Sequence, residues 1–139
     1  MRRRTNCTIA ANPLAFGTYD PAIANSGTAL VLTTTLSVTC TQGATGVTIG
    51  LDAGQNTTHA TGTTRAMTSG GGTPSFLSYE IYQDSARTTV WGNTGAAQVT
   101  LPTPSSNAAQ TLTAFGRIPA NESVPAGSYA DIVIATVNF

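Results

Sequence analysis

Lysine is absent from the sequence, and only 9% of its 139 residues are charged. The surface of such a chain must be polar through threonine, serine, asparagine, glutamine and glycine. Three of the six cationic residues are clustered at positions 2–4, so from residue 5 onward three arginines stand against six acids, a net charge of −3. A chain with this balance is not predicted to bind nucleic acid.

Long apolar runs are missing as well. No segment reaches the roughly 20 consecutive apolar residues that cross a membrane as a helix, so the chain is predicted not to span one. The leading MRRR is typical of the start of a signal peptide, but TNCTIAANPLAF supplies no apolar stretch after it. We therefore interpret residues 1–6 as a polar remnant or tag, and residues 7–139 as one domain.

No stretch of ten or more residues repeats its apolar side chains at a helical period. Threonine is instead the commonest residue, and with valine, isoleucine and tyrosine it favours the pleated surface of a sheet. Short alternating segments bounded by glycine and proline turns predict about seven or eight strands, a count typical of an immunoglobulin-like β-sandwich. The predicted fold class is therefore all-β. We expect the strands at 30–40 and 47–51 to pair as an antiparallel hairpin across the turn TQGATG.

Cysteine is scarce, with Cys7 and Cys40 as the two in the chain. A metal site or a redox pair needs closer spacing, or more ligands than the lone His59 can add. We predict a disulfide between them, with two buried and unreactive thiols as the alternative. A disulfide would indicate an oxidising compartment such as the periplasm or the cell exterior.

The sequence offers no paired acid, base and nucleophile, so it does not predict an enzyme. His59 lies in a stretch rich in glycine and threonine, which lacks the lysine and the helix start of a phosphate-binding loop. We interpret His59 as a solvated loop residue and expect no cofactor. Trp91 has two interpretations, a core residue or a surface platform for a sugar or a base, and we favour the core.

The last stretch, GSYADIVIATVNF, carries apolar residues on both faces of an extended strand. Tyr129, Val133, Ala135, Val137 and Phe139 share one face, while Ile132 and Ile134 share the other. This pattern is typical of a central strand buried on both sides. A central strand needs a neighbour on each edge, supplied either by an earlier segment or by another chain. We predict an incomplete sandwich completed by a partner's strand, with a groove bordered by Tyr129, Ile132, Val133, Ile134, Val137 and Phe139.

Several motifs in order resemble one known family: CTIAANPLAFGTYDP, then SVTC, RAM, LSYEIYQD followed by WG, AFGRI, and PAGSYADIVIATVNF at the end. Together they resemble the spore coat protein U domain, the fold of Csu-type pilin subunits in archaic chaperone-usher pili. The resemblance implies a structural subunit of a secreted pilus, which passes through the periplasm to the cell surface. It implies a periplasmic chaperone that lends the missing strand, an outer-membrane usher, and neighbouring pilin subunits that replace the chaperone's strand. The alternative is a tip adhesin or a carbohydrate-binding module, with Trp91 on its binding surface.

The sequence departs from this family before its first cysteine. A fibre-forming subunit carries an alternating apolar donor segment there, whereas residues 1–6 are polar and basic. The sequence as given is therefore expected to accept a strand and not to donate one.

We expect Cys7 and Cys40 of the folded, unreduced protein to resist alkylation. Reducing the bond should lower the free energy of unfolding by about 3 to 4 kcal/mol, because the bond restricts the unfolded chain over the long loop that it closes. Denaturant unfolding with and without reductant measures this difference. Quantitative labelling of both cysteines without reductant would contradict the disulfide.

Overall fold

The computed structural model describes residues 4–139, so residues 1–3 of the predicted polar remnant lie outside the described part. Within it the structure contains ten strands and two short 3-10 helices. The strands are β1 (Cys7–Ala11), β2 (Thr18–Tyr19), β3 (Leu30–Cys40), β4 (Thr48–Leu51), β5 (Arg65–Thr68), β6 (Phe76–Tyr82), β7 (Val99–Thr100), β8 (Gln110–Ile118), β9 (Gly127–Ser128) and β10 (Ala135–Asn138). The 3-10 helices are η1 (Thr57–His59) and η2 (Gly95–Ala97). None of the helices in residues 4–139 is long and apolar enough to span a membrane.

The strands form two main sheets and one small ribbon, all antiparallel. The larger sheet has the order β1-β3-β8-β6-β5, the smaller sheet has the order β10-β4-β7, and β2 pairs with β9. Residues of both sheets share one core, in which Leu36 and Val38 of β3 pack with Ile49 and Leu51 of β4. The predicted all-β sandwich is confirmed.

The long strand β3 divides its two faces as its sequence predicts. Leu36, Val38 and Cys40 are buried in the core, whereas the alternate residues, which are mainly threonine and serine, lie on the opposite face. β3 pairs with β8 in one continuous ladder from Leu30, opposite Ile118, to Val38, opposite Gln110. This ladder joins two inner strands of the larger sheet, β3 and β8.

The predicted hairpin between β3 and β4 is wrong. β3 pairs with β1 and β8, while β4 pairs with β10 and β7 in the other sheet. The connecting turn contains two glycines with positive φ, Gly43 at 83° and Gly46 at 68°. These conformations let the chain cross from one sheet to the other. A hairpin and an arch between sheets have the same alternation and the same turn residues, so the sequence pattern did not distinguish them.

Cys7 and Cys40 form a disulfide in the structure. They lie directly opposite each other in the ladder between β1 and β3, with Cα atoms 4.1 Å apart. β1 is the outer strand of the larger sheet. The bond therefore fixes this edge strand to its one neighbour.

Trp91 lies in the core, and its proposed use as a surface platform is wrong. Its side chain is 1% exposed, and its indole Nε1–H donates to the backbone oxygen of Ile49 at 2.9 Å. Burial with a satisfied N–H is the usual state of a core tryptophan. The favoured core interpretation is confirmed.

A buried ion pair that the sequence analysis missed joins β5 and β6. Arg65 Nη1 lies 2.6 Å from Glu80 Oε1, with the side chains 1% and 4% exposed. The guanidinium also donates to the backbone oxygens of Leu51, Asp52 and Trp91, and Glu80 Oε2 accepts from the Thr64 N–H at 2.8 Å. These additional hydrogen bonds offset the free-energy cost of removing both charges from water. The pair links the larger sheet to β4 and to the Trp91 loop.

We expect Arg65→Met to lower the free energy of unfolding by about 3 to 5 kcal/mol, because Glu80 would be left buried without its partner. Arg117→Met, at an exposed position, is the matched control and should change it by less than about 0.5 kcal/mol. Denaturant unfolding of both variants measures the difference. Equal losses in the two variants would contradict the assigned role of the pair.

Candidate functional site, an open groove between two chain segments

An open groove with a volume of about 590 Å³ runs between residues 11–17 and residues 128–135. These two segments form its walls. Its floor is made of core side chains from β3, β4, β5, β6 and β8, namely Leu36, Leu51, Met67, Tyr79, Ile81 and Ala114. The groove therefore opens directly onto the hydrophobic core of the sandwich.

The two walls continue from the outer strands of the two sheets, the first after Ala11 at the end of β1 and the second up to Ala135 at the start of β10. β1 is the outer strand of the larger sheet and β10 is the outer strand of the smaller one. One end of the groove is closed where β2 pairs with β9, with Thr18 opposite Ser128 and Tyr19 opposite Gly127. This pairing makes the walls antiparallel, so the groove has the form of a gap between two strand edges.

In the described part of the chain, backbone groups of the second wall are bonded at Ala130 and Ile134 and have no partner at the residues between them. Ala130 exchanges two hydrogen bonds with Thr68, and the oxygen of Ile134 accepts from the Asp52 N–H at 3.0 Å. The intervening residues Asp131 and Val133 direct their N–H and C=O groups the opposite way, since a strand alternates its backbone groups. Within residues 4–139 these groups have no hydrogen-bond partner in the structure. The wall therefore presents free donors and acceptors to the groove.

The prediction that the terminal strand is buried on both faces is wrong. Phe139, the last residue, is 61% exposed, and Ile132 and Ile134, on the opposite face, are 68% and 56% exposed. The alternate residues, by contrast, pack partly buried against the core: Tyr129, Val133, Ala135 and Val137. The ladder of β10 begins only at Ala135, so the segment is an edge strand with one buried face. Apolar residues on both faces did not distinguish a central strand from an edge strand that exposes isoleucine.

Half of the residues predicted to border the groove lie on it. Tyr129, Ile132 and Val133 line the groove. Ile134, Val137 and Phe139 are not among its lining residues. Ile134 is on the outward face, and Val137 and Phe139 lie beyond the part of the wall that borders the groove.

Leu14 and Phe16 also line the groove, and neither was predicted to do so. Their side chains pack over Gly116 of β8, where an added Cβ would lie 2.6 Å from Leu14 Cδ2 and from Phe16 Cζ. Phe16 also meets the ring of Tyr79 edge-on, with centroids 6.2 Å apart. The glycine in AFGRI was the available signal, because a glycine inside a strand often marks a close approach of other atoms.

A polar cluster lies beneath the second wall. Asp131 Oδ2 accepts the Tyr79 hydroxyl at 2.6 Å, while Oδ1 accepts the Gln55 N–H at 2.9 Å and Asn56 Nδ2–H at 3.1 Å. Burial, followed by the hydrogen bond to Asp131, raises the pKa of Tyr79 above its usual value. The phenol is therefore neutral, and its O–H donates a hydrogen bond to the carboxylate of Asp131.

No site for a metal ion was found among residues 4–139, where no group of three or more His, Cys, Asp and Glu side chains could hold one. His59 is exposed and stacks on Phe76, with ring centroids 3.5 Å apart. Its predicted exposure is confirmed, although it ends the 3-10 helix η1 and does not lie in a loop. The groove itself is built from backbone edges and mainly apolar side chains.

We expect the free energy of unfolding to fall as the pH rises above about 10, where the tyrosines of the unfolded chain ionise. The raised pKa of Tyr79 keeps its phenol neutral in the folded state, so the stabilisation is complete below that pH and is lost above it. Tyr79→Phe should make this decline less steep. Denaturant unfolding between about pH 8 and pH 11 measures the two slopes, and identical slopes would contradict the assignment.

Comparison with known proteins gives a family and a fold. The Spore Coat Protein U domain matches residues 1–136. Protein U of Myxococcus xanthus is 36% identical over 137 residues, which cover 91% of this chain and 71% of that protein.

A similar solved structure is the chaperone-tip adhesion subunit pre-assembly complex CsuC-CsuE from the archaic chaperone-usher Csu pili of Acinetobacter baumannii. One of its chains matches with a TM-score of 0.68 at 22% identity, over 98% of this chain and 40% of that chain. This likeness shows a shared fold, and the present chain spans less than half of its neighbour's length. The resemblance seen in the sequence motifs is confirmed, and this chain belongs to the Spore Coat Protein U domain family.

Proposed function

We propose that this chain is a structural subunit of a secreted pilus, assembled by donor-strand complementation through a chaperone-usher route. The observation that carries the proposal is the groove, where unpaired backbone groups of Asp131 and Val133 border an apolar floor. Unpaired strand edges over exposed core are a template for a further strand. Membership of the Spore Coat Protein U domain family and the fold of a Csu pilus complex support the same function.

The dimensions of the groove suit one extended strand. The wall of residues 129–135 would be about 23 Å long at roughly 3.3 Å per residue, so it matches an inserted segment of about seven residues. Such a segment would pair its backbone with the wall and direct every second side chain onto Leu36, Met67 and Ile81 in the floor. Three or four apolar side chains, at about 1.5 to 3 kcal/mol each, would make the contact slow to reverse.

The proposed partners follow from this mode of binding. A periplasmic chaperone would supply the strand first, and a neighbouring subunit would replace it after transfer at an outer-membrane usher. The similar complex from Acinetobacter is itself one of a chaperone with a subunit, which supports the first step. The chain would thus pass through the periplasm and end in a fibre at the cell surface.

A tip adhesin is the second candidate, because the complex with the similar fold contains a tip adhesion subunit. Both roles use the same groove, and they differ in where the subunit lies in the fibre. The carbohydrate-binding version has lost its sequence basis, since Trp91 is buried. Immunogold labelling of fibres from the native host would distinguish them, because a shaft subunit labels the whole length and a tip adhesin labels one end.

We expect a synthetic peptide of about nine residues, with valine and threonine alternating, to raise the melting temperature by about 5 to 15 °C at saturating concentration. Ala11→Asp should abolish most of this shift, because Ala11 lines the groove and the inserted strand would desolvate the new carboxylate. Differential scanning calorimetry with and without the peptide measures the shift.

Ala10→Asp is the matched control, because Ala10 is the exposed neighbour of Ala11 on β1 and is not a groove residue. It should keep the wild-type shift. A scrambled peptide without alternation should give none. The absence of a shift in the wild-type protein, or equal shifts in the two variants, would contradict strand insertion at this groove.

A further inference from the structure

We infer that Asp131 is a positioning residue that holds the groove open before a strand arrives. The inference rests on the proposed function, because it concerns how the same groove is kept ready for its occupant. Asp131 belongs to the second wall, and its carboxylate forms hydrogen bonds with Gln55, Asn56 and Tyr79. Burial and backbone pairing favour drawing the two walls together, while hydrogen bonds hold one of them back.

The two walls are placed so that they could close on each other. Their antiparallel direction is fixed at one end by the pairing of β2 with β9, and towards the other end β1 and β10 have Cα atoms within 8 Å. Paired strands lie about 4.8 Å apart, so closing the gap needs only a short movement. Closure would pair free backbone groups and cover apolar floor, and both changes are favourable.

In the described part of the chain, one side chain makes the polar attachment of the middle of the second wall, beside the apolar packing of Val133 against the core. Above it, Ala130 is bonded to Thr68, and below it Ile134 is bonded to Asp52 through both its N–H and its oxygen. Between these anchors, the hydrogen bonds that the structure gives residues 131–133 are all made by the Asp131 carboxylate. Loss of this carboxylate would leave three consecutive residues of the wall without a polar attachment.

The bonds of Asp131 pull away from the opposite wall. Gln55 and Asn56 belong to the loop that follows β4, and Tyr79 belongs to β6 in the floor. Asn56 Nδ2 also donates to the backbone oxygen of Ala66 in β5 at 3.2 Å, so the cluster is anchored to β5 and β6 of the larger sheet. None of these partners lies in residues 11–17.

The loop is shaped to admit the carboxylate. Gly54 has φ 79°, and a Cβ added there would lie 2.0 Å from Asp131 Oδ2. Any other residue would therefore collide with the carboxylate and would also be strained at this φ. The close approach is a second, independent sign that the structure places Asp131 against this loop.

The test compares Asp131→Ala with Asp84→Ala. Asp84 is the matched control, because its carboxylate also accepts hydrogen bonds from the Thr88 and Thr89 N–H groups and from the Thr88 hydroxyl but is not a groove residue. We expect Asp131→Ala to slow association of the alternating valine-threonine peptide by about tenfold or more, the loss that corresponds to one or two charged hydrogen bonds. Asp84→Ala should bind at the wild-type rate.

A conservative variant and a second temperature measurement separate positioning from general stability. Asp131→Asn should restore most of the association rate, since its amide oxygen can accept from Gln55 and Asn56 while its NH₂ donates to the Tyr79 hydroxyl. With peptide bound, Asp131→Ala should melt within a few degrees of the wild type, because the inserted strand then holds the wall. Equal melting losses in the free and bound forms, or a wild-type association rate in Asp131→Ala, would overturn the inference.

Hydrogen exchange decides the inference independently of the proposed function. Without peptide, the amides of Thr68 and Asp52, which donate to the wall, should exchange faster in Asp131→Ala than in the wild type or Asp84→Ala. Unchanged exchange would overturn the role of Asp131 even if the peptide binds.

A wild-type protein that binds no peptide would instead contradict the proposed function, and the exchange result would still decide how the wall is held. If Asp131→Ala does not fold, Asn56→Ala and Tyr79→Phe each remove one donor and should each speed exchange at the same amides, and a wild-type rate in both would refute the assignment.

Discussion

Backbone hydrogen bonding is the constraint on which this structure depends. A strand directs alternate N–H and C=O groups to either side, so the bonds of Ala130 to Thr68 and of Ile134 to Asp52 leave the groups of Asp131 and Val133 to face the groove. β1 is in the same position, because it is bonded to β3 on one side only. The two edges face each other across a floor of core side chains. The proposed function follows from this arrangement, since one further strand would satisfy both edges and cover the floor.

The strands behind the groove are joined by a buried ion pair between Arg65 and Glu80, in a chain that has few charged residues. Arg65 is one of three arginines after residue 4, and it is buried with its guanidinium bonded to Glu80 and to backbone oxygens of Leu51, Asp52 and Trp91. Leu51 and Tyr79 in the groove floor are therefore next to a network that joins the two sheets. A buried ion pair of this kind resists displacement because each partner would be left uncompensated. The floor can then keep its shape whether the groove is empty or filled.

The two walls are held by different means. The first continues from β1, which is fixed to β3 by a ladder and by the disulfide between Cys7 and Cys40. The second is held between its anchors by the carboxylate of Asp131, which depends on Gln55, Asn56 and Tyr79. A covalent bond does not adjust to an incoming strand, whereas hydrogen bonds to side chains can rearrange. We therefore expect the terminal segment to make most of the adjustment when a strand enters.

Composition and alternation by themselves determined the fold class and the strand-forming segments, whereas the family came from the resemblance of several motifs to those of a known family. The buried face of β3, the core position of Trp91 and the approach of Cys7 to Cys40 all followed from residue type and spacing, because burial in a sandwich depends mainly on which face of a strand is apolar. Strand partners did not follow, since an arch and a hairpin have the same local pattern, and β3 and β4 proved to lie in different sheets. The terminal segment was predicted to be central, yet Ile132 and Ile134 are exposed, because alternation does not report what covers a face. Only the tertiary structure decided that Arg65 meets Glu80, that Leu14 and Phe16 pack on Gly116, and that Asp131 lies under the wall. These contacts join residues far apart in the chain, and no local pattern encodes such distances.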